Sequence, residues 1–229
     1  MIKQTLILTT QILVMVGLVS FTSKKTQKSG AEVIERLNEL GYFKYADSDK
    51  IADLKNDLIH SFESHKVLST MTDSKTLLPY DYRLYFCDGE ALFEIGGLEE
   101  YLVHAKHGFE KRGLKLHWSN EISKQNGNDW NHRIIVNGKE YIAFEGTMER
   151  MNIWGTAQLN FYRLLNDQLA KQGSNEKVYP ISGGEEGQFV FLTEDLYDYI
   201  STTFYQGKDF RKWEIPYPVE KWKEVNGLK

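Results

Sequence analysis

The sequence predicts an α+β protein: an antiparallel or mixed sheet built from hairpins with helices packed on one face, preceded by a helical pair and an N-terminal apolar helix. Three observations lead there. The chain opens on an uncharged run, two amphipathic helical stripes follow, and a hairpin-then-helix order then recurs three times, starting near Arg83, Arg133 and Val178.

The first element is the run from Thr5 to Phe21 (TLILTTQILVMVGLVSF), placed between Lys3 and the basic stretch Thr22–Gly30 (TSKKTQKSG). A positive start followed by an apolar stretch is the pattern of a signal peptide, and the run also reaches the lower length limit for a membrane span. Residues 1–30 are therefore expected to be a signal peptide or membrane anchor with a basic linker. Residues 31–229 are expected to form one globular domain, with a helical pair over 31–70, sheet and helices over 76–205 and an irregular tail over 206–229. This places the protein at a cell envelope of bacterial type, anchored by the N-terminal helix or secreted after cleavage.

In the helical pair, Val33, Ile34, Leu37 and Leu40 recur at helical spacing, and Gly41 follows where a left-handed residue ends a helix. Ile51, Leu54, Leu58, Ile59 and Phe62 form the next stripe, with Asp47 or Ser48 available as its cap. Arg83–Cys87, Asp88-Gly89 and Glu90–Ile95 then read as a hairpin, because Asp-Gly suits a two-residue turn. Leu98–Lys111 reads as a helix stopped by Gly113. Leu114–Glu121 and a polar loop at Asn126-Gly127-Asn128 lead into Trp130–Glu145, where Asn137-Gly138 predicts a type I′ turn. Trp154–Lys171 is a long amphipathic helix. Val178–Ile181 and Gln188–Leu192 pair across SGGEEG, and Thr193 caps a helix carrying Leu196, Tyr199, Ile200 and Phe204.

Composition narrows the function. The 229 residues are 41% apolar and 26% charged, a folded rather than disordered chain. Without Lys3, Lys24, Lys25 and Lys28, the 28 basic residues fall to 24 against 32 acids, a net charge of −8 for the folded part. That balance repels nucleic acid and suits a basic partner. The single cysteine, Cys87, ends an apolar strand and reads as a buried thiol.

Few residues carry candidate chemistry. Glu100, His104 and His107 share one helix side at a spacing that could offer two imidazoles and a carboxylate to a metal, but that side lies opposite the apolar stripe and reads as solvated; no metal or other cofactor is expected. The acids Asp88, Glu90 and Glu94 read as an exposed strand face rather than a hydrolytic pair. Among the tryptophans, Trp130 beside the polar loop is the best candidate for an exposed binding platform. Glu185 and Glu186, adjacent carboxylates on the glycine-rich loop, are candidate contacts for a basic partner.

Three segments resemble parts of known families. Ser182–Gly187 (SGGEEG), after Gln158–Asp167 (QLNFYRLLND), is similar to the diguanylate cyclase signature. Gly187 replaces its phenylalanine, however, and Gln158 and Asn160 stand where metal-binding aspartates are required, so nothing holds magnesium and triphosphate. Leu37–Phe43 (LNELGYF) is similar to the first helix of small peptidoglycan-binding modules, and Leu78–Tyr82 (LPYDY) resembles a segment of the SUKH immunity superfamily. The expectation is a non-catalytic recognition domain at the envelope, binding a protein or cell-wall ligand through its hairpin loops, as an immunity protein would. The alternative is an envelope hydrolase with dispersed acids and histidines.

Overall fold

The computed structural model describes residues 28–64, 68, 71–147, 152–183, 185, 187–204 and 216–228. The apolar run 5–21 and Glu186 lie outside them. Among the described residues, no helix is long and apolar enough to cross a membrane.

Helix α1 (Gly30–Glu39) starts at a capping box, in which Ser29 and Glu32 satisfy each other's backbone amides, and it ends at Gly41, whose φ of 82° only glycine adopts at no steric cost. A 3₁₀ turn over Tyr42–Tyr45 leads to α2 (Ile51–Glu63). Neither Asp47 nor Ser48 caps α2. Lys50 takes that position without a side-chain bond, and Asp47 is drawn instead to Lys111 Nζ at 2.8 Å, a charge pair worth more to it than a neutral amide.

Two three-stranded antiparallel sheets replace the single sheet read from the sequence. The first has the order β1 (Leu84–Phe86), β6 (Gln188–Thr193), β5 (Glu176–Pro180); the second runs β2 (Trp118–Asn126), β3 (Asp129–Val136), β4 (Lys139–Thr147). Asn137 and Gly138, with φ 48° and 80°, make the expected type I′ turn between β3 and β4.

The hairpin at Asp88-Gly89 does not form. The Asp88 carboxylate accepts from the amides of Glu90 and Ala91 and so caps a short helix, α3 (Gly89–Phe93), while β1 finds its partner about a hundred residues later, with Leu84 opposite Val190. Asp is as good a helix cap as a turn residue, and packing chose between the two. Helix α4 (Gly97–Lys111) follows, and α5 (Ile153–Lys171) follows β4. Thr193 caps α6 (Glu194–Thr203) through the Leu196 amide. The tail, expected to be irregular until a short turn near Trp222, carries α7 (Val219–Val225), which buries Trp222 against Tyr162; residues 205–215 lie outside the described ones.

The first sheet has helices on both faces, not one. Leu84, Tyr179, Val190 and Leu192 join α1, α2 and α6 in one core, whereas Tyr85, Val178, Phe189 and Phe191 join α4 and α5 in the other. Successive strand residues point to opposite sides, so one sheet divides the two cores. Helix α5 lies between the sheets, packed on β5 and on β4. The second sheet turns Ile134, Val136 and Phe144 inward and leaves Ile122 and Ile142 on its outer face.

A buried ionic junction ties these layers together. Glu176 on β5 accepts from Arg83 Nη1 at 2.9 Å and from Arg112 Nε, with all three side chains at most 3% exposed. Arg83 also donates to the carbonyls of Gly41, Tyr42 and Phe191, and Arg112 to those of Tyr82 and Gly108. Within the LPYDY segment, Asp81 accepts from the amides of Arg83 and Leu84 and from Tyr42, so this segment seats the start of β1 in the core.

Candidate functional site

Helix α5 sets the polarity of the molecule. Near its C-terminal end, Asn137 donates to Gln168 at 2.7 Å, and Lys139 and Tyr141 bond Asp167. Nearer its start, Asn160 donates to the Ala143 carbonyl. The β3–β4 turn therefore lies at one end of α5, and the far end of β4, with the neighbouring β2–β3 turn, lies at the other.

Gly183 and Gly187, on either side of Glu185, reach that second end as well. Gln158, wholly buried, donates to the Cys87 carbonyl at 2.6 Å, while the Gly187 carbonyl accepts from the Cys87 amide. A Cβ on Gly187 would come within 2.1 Å of both the Cys87 oxygen and the Gln158 nitrogen, so only glycine fits there. Gln158 and Asn160, which occupy the positions of metal-binding aspartates in the cyclase-like segment, thus serve as struts.

Helix α3 spans this end. Its first residue, Gly89, faces Trp154 and Gln158, and its last, Phe93, packs against Trp130 (ring centroids 5.3 Å apart), His132 and Phe144. The structure thereby places Trp130 at the last residue of this short helix, and Gly187, two positions after the exposed Glu185, beside Cys87 and Gln158 near its first. Trp130 is half-buried, with its ring held on Phe93 rather than standing free. The surface of α3 and the start of α4 is acidic: Glu90, Glu94, Glu99 and Glu100 are exposed, and among the described residues no cation pairs with them or with Glu185. In their midst Ile95 is 78% exposed.

Beneath Ile95 lies a contact that the sequence did not reveal. Glu121 on β2 accepts from the amides of Gly96 and Glu99 at the start of α4, and its Oε1 lies 2.7 Å from His132 Nε2. A bulge between Ser119 and Ile122, with Asn120 at φ 53°, turns the Glu121 carboxylate inward. Burial pushes the Glu121 carboxyl up, but the hydrogen bonds from His132 and from the helix amides, with the His132 charge, outweigh it and hold the carboxyl below its ordinary range. His132 is wholly buried, and Ser123, opposite it on β2, has its hydroxyl sealed from solvent. Among the described residues, neither Ser123 Oγ nor His132 Nδ1 finds a hydrogen-bond partner, so the serine is not joined to the His132–Glu121 pair.

The histidines of α4 make no such cluster. Burial lowers the His104 imidazole, Glu100 working against it, and His107 Nδ1 lies 3.9 Å from Glu110. Among the described residues, no group of three or more His, Cys, Asp or Glu side chains lies close enough to hold a metal ion. Cys87 is buried, and burial drives its thiol far above the ordinary range, away from the nucleophilic form. Compared with known protein families, curated proteins and solved structures, the chain matches none.

Proposed function

We propose that the chain is a non-catalytic recognition domain, exported to or anchored at a cell envelope through residues 5–21, that binds a basic protein with the end of the molecule formed by α3, the start of α4 and the loop carrying Glu185. The observation that carries this reading is the exposed Ile95 within a field of carboxylates that no cation of the described residues neutralises. An exposed aliphatic side chain supplies contact area, and unpaired charge of one sign steers a partner of the other and sets its register. A neutralising partner of a basic toxin, as in immunity proteins, fits this chemistry. The hydrolase reading has less support, since its nearest constellation, Ser123, His132 and Glu121, is closed to solvent.

The test is affinity capture by the full-length tagged protein from envelope and secreted fractions. A basic partner should be recovered at low salt and lost at high salt. Paired Glu90→Lys and Glu94→Lys changes, or Ile95→Asp alone, should abolish capture, while Glu39→Lys on α1 should leave it intact. Capture that ignores the Glu90, Glu94 and Ile95 changes overturns the reading, as does recovery of a cell-wall polymer instead. For location, the mass of the protein after cell fractionation decides: full mass in the membrane fraction indicates an anchor, and shortening near Ser20–Ser23 in a soluble fraction indicates a cleaved signal.

A further inference from the structure

Asn-Gly is the dipeptide most prone to spontaneous deamidation, because glycine leaves its amide nitrogen open to attack the preceding side chain, and this chain has three: Asn126-Gly127, Asn137-Gly138 and Asn226-Gly227. The reaction needs the Asn Cγ to swing onto the following nitrogen, so a side chain fixed elsewhere is protected.

The three sites differ in how they are held. Asn137 is locked by three bonds: its Oδ1 accepts from the His117 amide at 3.0 Å, and its Nδ2 donates to the Lys115 carbonyl at 3.0 Å and to Gln168 Oε1 at 2.7 Å. Asn226 is half-buried and donates to the Trp222 carbonyl at 2.8 Å. Asn126 is exposed at the last position of β2, and among the described residues no hydrogen bond holds its side chain. Gly127, also exposed, follows at φ 60° as the first central residue of the two-residue turn to β3.

We infer that Asn126 is a site of covalent self-modification, converting to an aspartyl or isoaspartyl residue in the folded protein while Asn137 and Asn226 are preserved. The Gly127 nitrogen attacks Asn126 Cγ and gives up its proton, the Cγ–Nδ2 bond breaks, and ammonia leaves. Water then opens the resulting succinimide at either carbonyl. No electrons are transferred and water is the sole co-reactant. The product adds a negative charge to the β2–β3 turn, on the same end of the molecule as the carboxylates around Ile95, and the isoaspartyl form inserts an extra backbone carbon at the hairpin closure. The inference stands independently of the proposed recognition function.

Peptide mass mapping of the full-length protein, aged at mildly alkaline pH with and without denaturing urea, tests it. In urea all three asparagines should convert at similar rates, whereas in the folded protein Asn226 should lag Asn126 by about fivefold and Asn137 by about a hundredfold, one and three hydrogen bonds having first to break. Asn126→Gln should remove the early product without touching the other two. Folded-state conversion of Asn137 or Asn226 as fast as that of Asn126 overturns the inference, as does an Asn126 that converts many times more slowly folded than unfolded.

Discussion

Glu121 on β2 and His132 on β3 meet at 2.7 Å, and the same carboxylate closes the start of α4 by accepting from the Gly96 and Glu99 amides. One side chain thereby satisfies two orphan helix donors and one nitrogen, Nε2, of a buried imidazole, and fixes the turn that displays Ile95. Replacing it by Ala leaves all three unpaired. The expected loss is about 1–3 kcal/mol in urea unfolding, carried mainly by the buried His132 nitrogen, because the exposed Gly96 and Glu99 amides can turn to water. Ile95→Ala, by contrast, should change stability by no more than about 0.5 kcal/mol, being a surface substitution.

The Arg83–Glu176–Arg112 junction predicts an asymmetry. Glu176→Gln removes the carboxylate shared by two buried guanidiniums and is expected to cost about 3–5 kcal/mol. Replacing all three by apolar residues of similar volume should cost less than that single change, because no buried charge is left behind. Equilibrium unfolding of the two variants decides; a triple variant less stable than Glu176→Gln refutes the argument.

Gly187→Ala tests the seat of the Glu185 loop. The added carbon meets backbone oxygen and the buried Gln158 amide, neither of which can swing away, so strain of about 1–3 kcal/mol is expected. Gly138→Ala, whose Cβ would meet nothing, carries only the penalty of its positive φ and should cost less.

The second sheet has an acid-labile tie to α5. The hydroxyl of Tyr141 and the ammonium groups of Lys139 and Lys171 hold the Asp167 carboxyl down at about 2. A carboxyl lowered in the folded state contributes stability that is complete above its unfolded value, near 4, and is lost as pH falls towards 2. Asp167→Asn should therefore narrow its stability gap to the parent protein between pH 4 and 2, an outcome read from Tm against pH.

Particular elements show how far the sequence reached. The stripe of α5, the Asn137-Gly138 turn, the Thr193 cap and the left-handed Gly41 all depend on neighbours within a few positions, and the structure contains each of them. Asp88-Gly89 failed because its local preferences fit two outcomes equally, a hairpin turn and a helix start. Trp130 was legible as a strand residue beside a polar loop, but not that its ring would pack on Phe93 of α3.

The sequence by itself determined the α+β class, most helices and the hairpins whose strands adjoin, because backbone propensity and side-chain period act over a few residues. Only the tertiary structure decided that β1 would pair with β6, that two sheets would form around α5, and that Glu121 would reach both His132 and α4. Those choices rest on burial and on satisfying buried polar groups among residues far apart in the chain, quantities that exist only once the chain has packed.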